Sequence, residues 1–244
     1  VLRNCDLAIN LVGILYETRK QKFNQIHSQF PYLLSNLCNE LGIKNLVHVS
    51  ALGVKERHVS KYMQSKLQGE KNIQGTFRSS VILRPSVCFG PDDKFFNTFA
   101  SIAQFSPILP LVGGGKTKFA PVYVGDVAKA IIKVLELNNL KPKIYELGGP
   151  ENYSFRKLME ILLVEIKKKR FLIPIPFGVA KFQSYFLQMM NNPLLTPDQV
   201  DILRYNNIVS GEHPTLKDLG ISGKTIQSIL PKYIYRFRTG GQFG

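Results

Sequence analysis

Hydrophobic residues change their spacing along this chain, and each change marks a passage between strand and helix. The run Leu7, Ala8, Ile9, Asn10, Leu11, Val12 is almost continuously apolar and stops at Gly13, the pattern of a strand buried on both faces of a parallel sheet. From Phe23 the spacing becomes three and four residues, through Ile26, His27, Phe30, Leu33, Leu34, Leu37, Cys38 and Leu41, until Gly42 ends it. That spacing predicts an amphipathic helix, with Pro31 expected to kink it. The run 46–49 predicts a second strand, the segment reaching to about Thr76 a second helix, and residues 80–83 a third strand closed by Arg84 and Pro85. Strand and helix alternate, so the class predicted is α/β with a parallel sheet.

Past Gly90 and Pro91 the character changes. A Phe-rich helix is expected over 95–105, then a Pro/Gly loop through Gly113, Gly114 and Gly115, and a short strand over 121–124. Asp126 is expected to cap a helix through Leu137, and an apolar strand over 144–147 ends at Gly148, Gly149 and Pro150. Ser154 is expected to cap a helix running to Lys167, Lys168, Lys169 and Arg170, and the remainder reads as helices over 177–190, 197–205 and 224–235. The chain is therefore divided at residue 150, with the sheet in 1–150 and a mostly helical cap region in 151–244.

Composition narrows the classes. At 244 residues and 44% hydrophobic content, the chain can bury an ample core. No apolar run approaches the ~20 residues needed to cross a bilayer as a helix. Cys5, Cys38 and Cys88 are odd in number and far apart, which argues against a disulfide framework or a metal knot and for a reducing compartment. The charge of +15 favours phosphate-bearing cofactors, anionic lipid or acidic partners, although a Lys-rich solvated surface gives the same count. Nucleic acid is not expected as a partner, because no basic helix carries interleaved stacking aromatics. The opening residues, from Val1 to Asp6, read as an incomplete N-terminus.

The candidate chemistry lies in Tyr62 and Lys66, about a dozen residues after the strand that ends at Ser50. Residues four apart share one helix face, so the ammonium can lie beneath the phenol and still reach a ribose hydroxyl. They are the candidate catalytic pair, expected to position a cofactor rather than to turn over substrate. No Gly-rich strand-to-helix turn, the element that cradles a dinucleotide pyrophosphate, precedes them. Other chemistry-bearing residues have plainer readings: His27 and His48 as packed, hydrogen-bonded core, and Gly113 to Lys116 as a surface loop beside a substrate cleft. The Lys167 to Arg170 run suits the C-terminal dipole of a helix, or a contact with anionic lipid or an acidic partner.

As an ordered set, these pieces resemble the extended or atypical short-chain dehydrogenases/reductases: Asn10 to Gly13, Val47 to Ser50, Tyr62 and Lys66 with Gly69 and Glu70, Leu83 to Ser86 with Phe89 and Gly90, and Pro121 to Val124 with Asp126. The segments 93–100, 195–200 and 230–233, with Arg236, Arg238, Gly240 and Gly241, are similar to one branch, the complex I alpha subcomplex subunit 9 family. The resemblance implies a partial Rossmann-like sheet lacking its N-terminal strands, with a small, mostly helical C-terminal region. It implies NADPH or NAD(H) as cofactor, with binding incomplete without the missing segment, and a non-catalytic accessory or assembly role with respiratory complex I subunits as partners. The location implied is cytoplasmic or on the mitochondrial matrix side, peripheral to the respiratory membrane. By position, Tyr62 and Lys66 would meet the nicotinamide ribose, Leu11, Val12 and Gly13 the adenine-side ribose and pyrophosphate region, and Pro85 and Ser86 the nicotinamide; Ser50, whose place at the end of a buried strand reads more simply as a hydroxyl that satisfies a backbone group, completes the candidate set. One departure is chemical: active members place Ser or Thr after the strand-end residue, where this chain has Ala51. The alternatives carried are an active NAD(P)-dependent epimerase or reductase acting on a nucleotide-sugar, and a basic peripheral membrane or interaction protein that uses the fold as a platform.

Overall fold

A computed structural model describes residues 5–137 and 143–242; the opening Val1–Asn4 lies outside the described residues. The first strand, β1, covers Leu7–Asn10 and stops two residues short of the predicted end. Asn10 causes this, because its side-chain oxygen accepts the Val12 amide at 3.0 Å and turns the chain out of the sheet. A π-helix, Asn24–Gln29, then runs directly into α1, Phe30–Glu40. Pro31 sits in the first turn of α1, just past the junction with the π-helix, so the proline marks a change of helix type where a kink was expected.

Strand β2 (Asn45–Val49) leads to α2 (Lys61–Thr76), whose start is fixed by the Ser60 hydroxyl accepting from the Met63 amide at 3.2 Å. After α2 come β3 (Ser80–Pro85), β4 (Cys88–Phe89), α3 (Phe96–Phe105) and β5 (Ile108–Val112), followed by the short strands β6 (Lys118–Phe119) and β7 (Val122–Tyr123). Next are α4 (Val124–Glu136), β8 (Lys143–Leu147), β9 (Tyr153–Ser154), α5 (Phe155–Glu165), β10 (Phe171–Ile175), α6 (Phe177–Leu187) and α7 (Pro197–Ile202). The last predicted helix is two short ones, α8 (Ile226–Ile229) and α9 (Pro231–Ile234), with Pro231 at the start of the second.

The described residues fall into two compact units that interleave along the chain. One takes those within Val1–Pro85, Ala128–Leu147 and Val209–Ile221; the other takes those within Ser86–Val127, Gly148–Ile208 and Ser222–Gly244. This differs from a division at residue 150. The reason is β8, which pairs parallel with β3 and so returns a late segment to the first sheet.

The first unit is a four-stranded parallel sheet in the order β1-β2-β3-β8. Ala8, Cys38, Ile43, Leu46, Ile73 and Phe77 form a core between sheet and helices. α2 approaches the π-helix closely at Gly69, where a Cβ would lie 1.9 Å from the His27 carbonyl oxygen. A buried, bidentate ion pair joins α2 to β3, with Arg84 Nε and Nη2 donating to Glu70 at 3.0 and 2.6 Å. β1 is an edge strand, and Leu7, Ile9, Leu11 and Val12 are exposed.

The second unit is built around a large aromatic and aliphatic core from Phe89, Phe96, Phe119, Phe155, Leu158, Met159, Leu230 and Tyr233, among others. Its parallel pair β5 and β10 was not predicted, since Pro110 and Pro174 interrupt both apolar runs. Gly113, Gly114 and Gly115 form a tight turn with φ of 62, 70 and 70°. Gly115 is buried against Arg156, and Gly113 lies under the Phe177 ring, so the expected surface loop is a packed corner.

Candidate functional site

The parallel sheet of the first unit brings most of the predicted residues to one end. Leu11, Val12 and Gly13 follow β1, Ser50 follows β2, and Pro85 ends β3. Ligands of open parallel sheets bind at the carboxyl ends of the strands. The end of β2 is tied to β3 by the Ser50 amide donating to the Leu83 carbonyl at 2.8 Å and the Leu52 amide to the Pro85 carbonyl at 2.9 Å. Ser86 belongs to the second unit, where its hydroxyl donates to the Asn207 side chain at 2.6 Å.

α2 carries Tyr62 and Lys66 to the same end. The Lys66 ammonium lies 6.0 Å from the centre of the Tyr62 ring and donates to the Val49 carbonyl at 3.3 Å. A Cβ on Gly13 would sit 3.2 Å from that ammonium, so the absence of a side chain there lets the chain leaving β1 pass beside the lysine. Lys66 is only 4% exposed, and burial pulls its pKa from 10.5 to about 8, against a smaller upward pull from Glu70. A buried cation with one long backbone contact is costly to hold.

His27 organises this corner in a way the sequence did not reveal. Its Nε2 accepts from the Ile14 amide at 3.0 Å, which leaves the ring proton on Nδ1 to donate to Ser65 Oγ at 3.0 Å; Ser65 in turn donates to the Tyr62 carbonyl at 2.7 Å. The imidazole stacks on Phe23 and meets the Tyr62 ring edge-on. His27 thereby connects the loop after β1 to the helix bearing the pair. His48 Nδ1 accepts from the Asn10 side-chain amide at 3.0 Å. Both rings are buried, and burial together with the nearby Lys66 holds their pKa values down at about 3, so both are neutral. Both histidines are hydrogen-bonded core residues, as their apolar settings predict.

Two expectations are corrected and a third is extended. Ser50 does not satisfy a backbone group through its hydroxyl: Oγ is buried and has no hydrogen-bond partner among the described residues. Asp126 is no N-cap, since α4 already starts at Val124; its carboxylate accepts the Lys224 amide at 2.7 Å. Lys167 does more than favour a helix dipole, because it takes the left-handed position that closes α5, at φ 54°. No cluster of metal-ligating side chains exists among the described residues, and no described helix is long and apolar enough to cross a membrane.

The family model described as the NAD dependent epimerase/dehydratase family matches residues 4–148. The chain belongs to that family. Epimerase/dehydratase-type solved structures agree with it in fold: a dTDP-glucose 4,6-dehydratase from Streptomyces venezuelae superposes with TM-score 0.70 at 18% identity, over 98% of this chain and 76% of the other. The structure called gox2253 also gives TM-score 0.70, at 16% identity, over 100% of this chain and 81% of its own. Among curated relatives, the mitochondrial NADH dehydrogenase [ubiquinone] 1 alpha subcomplex subunit 9 of Arabidopsis thaliana is 30% identical over 99% of this chain and 63% of its own length. The mouse protein of that name is 29% identical over 98% of this chain and 63% of its own, and the 40 kDa subunit of Neurospora crassa NADH-ubiquinone oxidoreductase 24% over 99% and 64%. The chain thus spans a little under two-thirds of the length of these relatives.

The residues present fit a nicotinamide nucleotide of the kind this epimerase/dehydratase family is named for. The Gly13 backbone leaves room beside the Lys66 ammonium, and the buried Ser50 hydroxyl is unsatisfied. Lys66 would hold ribose hydroxyls, and Tyr62 would line the ribose from the same face of α2.

Proposed function

We propose that this protein is an NAD(P)H-binding, non-catalytic accessory or assembly subunit of respiratory complex I, peripheral to the inner membrane and facing the matrix or cytoplasm. One observation carries the reading. Gly13, Tyr62 and Lys66, the residues that would grip the nucleotide ribose, lie together at the carboxyl ends of the strands, while Ala51 follows Ser50 and offers no hydroxyl to a reacting substrate oxygen. An epimerase or reductase needs an acid/base phenol and a second group that holds the substrate oxygen; this chain keeps the phenol, and the position after Ser50 carries alanine in place of Ser or Thr. The similarity to subunit 9 proteins over nearly the whole chain supports complex I as the assembly.

Under this reading the nucleotide is a structural ligand. By binding only the folded state it adds stability through mass action, in the way any tight ligand does. An affinity tag on the chromosomal copy, followed by native gel electrophoresis of detergent-solubilised respiratory membranes, tests the proposal. The tagged protein is expected to migrate with complex I, and Tyr62→Phe to leave that migration unchanged. Migration as a free protein, together with a reductase or epimerase rate that Tyr62→Phe abolishes, would establish turnover in its place.

A further inference from the structure

The second unit carries a surface that the nucleotide site does not use. At the end of α3, Phe105 is 91% exposed; the chain then turns through Ser106 and Pro107 into β5. β10 lies parallel to β5 with Phe171 in register with Ile108, and Phe171 is 74% exposed. Ile173, two residues on and so on the same face of the strand, is also exposed. Arg170 ties this edge to α3 by donating through Nε to the Ala103 carbonyl at 2.8 Å. Val164, in the last turn of α5, is 73% exposed. Lys167 and Lys169, both exposed, lie between it and Phe171. Apolar knobs and cations therefore share one continuous edge formed by the ends of α3 and α5 and the start of the β5 and β10 pair. β10 leads into α6, whose outward positions Val179, Phe182, Tyr185 and Phe186 are hydrophobic as well.

The conformation of Lys167 is a second, independent observation. α5 ends in a Schellman motif, with the Lys168 amide donating to the Leu163 carbonyl at 3.1 Å and the Lys167 amide to the Val164 carbonyl at 3.2 Å. The left-handed residue of that motif is usually glycine, because a Cβ is strained there. This chain places a lysine in it, at φ 54°, in the middle of the basic run. The backbone would be better served by glycine; the surface is served by the charge.

We propose that this edge docks on an anionic lipid bilayer. Phe105, Phe171 and Ile108 would enter the boundary between headgroups and acyl chains, while Lys167 and Lys169 contact anionic headgroups through long stems that reach past the apolar layer. Charge complementarity selects the bilayer. Glu165, the acid nearest the run in sequence, is engaged by Arg238 at 3.3 Å, and no acid pairs with Lys167 or Lys169 among the described residues. Phenyl groups as exposed as Phe105 and Phe171 suit a fluid layer, which needs no matching pockets.

Sedimentation of the purified chain with extruded vesicles tests this, using phosphatidylcholine alone and phosphatidylcholine with about one-third phosphatidylglycerol. Binding to the anionic vesicles only, weakening as salt rises, is expected. Lys167→Gly and Lys169→Gln should each weaken it about fivefold, from the attraction of one cation to an anionic surface. Lys167→Gly should do so with thermal unfolding unchanged or raised, which separates lost contact from lost fold. The pair Phe105→Ser and Phe171→Ser should remove the binding that survives high salt. Equal partition to both vesicle types, no binding, or indifference to both lysine changes would overturn the proposal. So would unchanged vesicle binding by lysine variants that no longer join a respiratory complex, since that places an acidic protein on this edge.

Discussion

Replacing Lys66 by methionine should make the protein more stable and useless for holding a nucleotide. The lysine gives up its proton at about pH 8 in the fold and at 10.5 when unfolded, a difference worth roughly 3 kcal/mol against the native state wherever both forms are charged. Methionine fills similar space and carries no charge. What it forfeits is the 3.3 Å contact to the Val49 carbonyl, and an unsatisfied carbonyl costs about 1–2 kcal/mol. The net expectation is a gain of about 1–2 kcal/mol at neutral pH. The sign with pH follows from linkage: between pH 8 and 10.5 the unfolded state binds the extra proton, so wild-type stability rises with pH across that window. Urea unfolding of both proteins at pH 7 and at steps up to pH 10.5 measures this. The methionine variant should be ahead at pH 7 and lose its lead toward the top of the range. A variant that is less stable at pH 7, or a difference that ignores pH, would refute the view of Lys66 as a buried cation kept for binding.

Three further outcomes follow from the same corner. Gly69→Ala places a methyl 1.9 Å from the His27 carbonyl and must push α2 off the π-helix, costing about 1–3 kcal/mol in thermal or urea unfolding. Glu70→Gln leaves Arg84 buried without its carboxylate and should cost about 3–5 kcal/mol, while Lys71→Gln, which alters an exposed ion pair with Glu56, should cost under about 1 kcal/mol. Acid should unfold the protein early. His27 and His48 stay neutral to about pH 3 in the fold but take protons near 6.5 when unfolded, so their contribution is complete above pH 6.5 and drains away as pH falls below it. His27→Gln should flatten the fall in urea midpoint between pH 7 and 5.

Much of the first unit was legible because its signals are local. Continuous apolar runs found β1, β2, β3 and β8, and the family motifs placed Tyr62 and Lys66 on the helix that the structure shows as α2. The candidate residues of that unit fall together because the chain after each parallel strand emerges at the same end of the sheet. What escaped was nonlocal. β5 and β10 each contain a proline, and only their mutual register makes them strands. The interleaving of the two units depends on β8 choosing β3 as its neighbour, which no window of sequence contains. His27 looked like packing because its role rests on the Ile14 amide and Ser65, 13 and 38 residues away. Ser50 looked like a backbone satisfier for lack of any signal that its hydroxyl would be left open.

The most direct test is the nicotinamide nucleotide content of complex I purified from the source organism, with the chromosomal copy carrying wild-type Lys66 or Lys66→Met. A stoichiometric nucleotide is expected in the wild-type preparation and its loss in the variant, with this subunit still present in the complex. Equal nucleotide in both preparations, with the subunit present in both, would contradict the proposal.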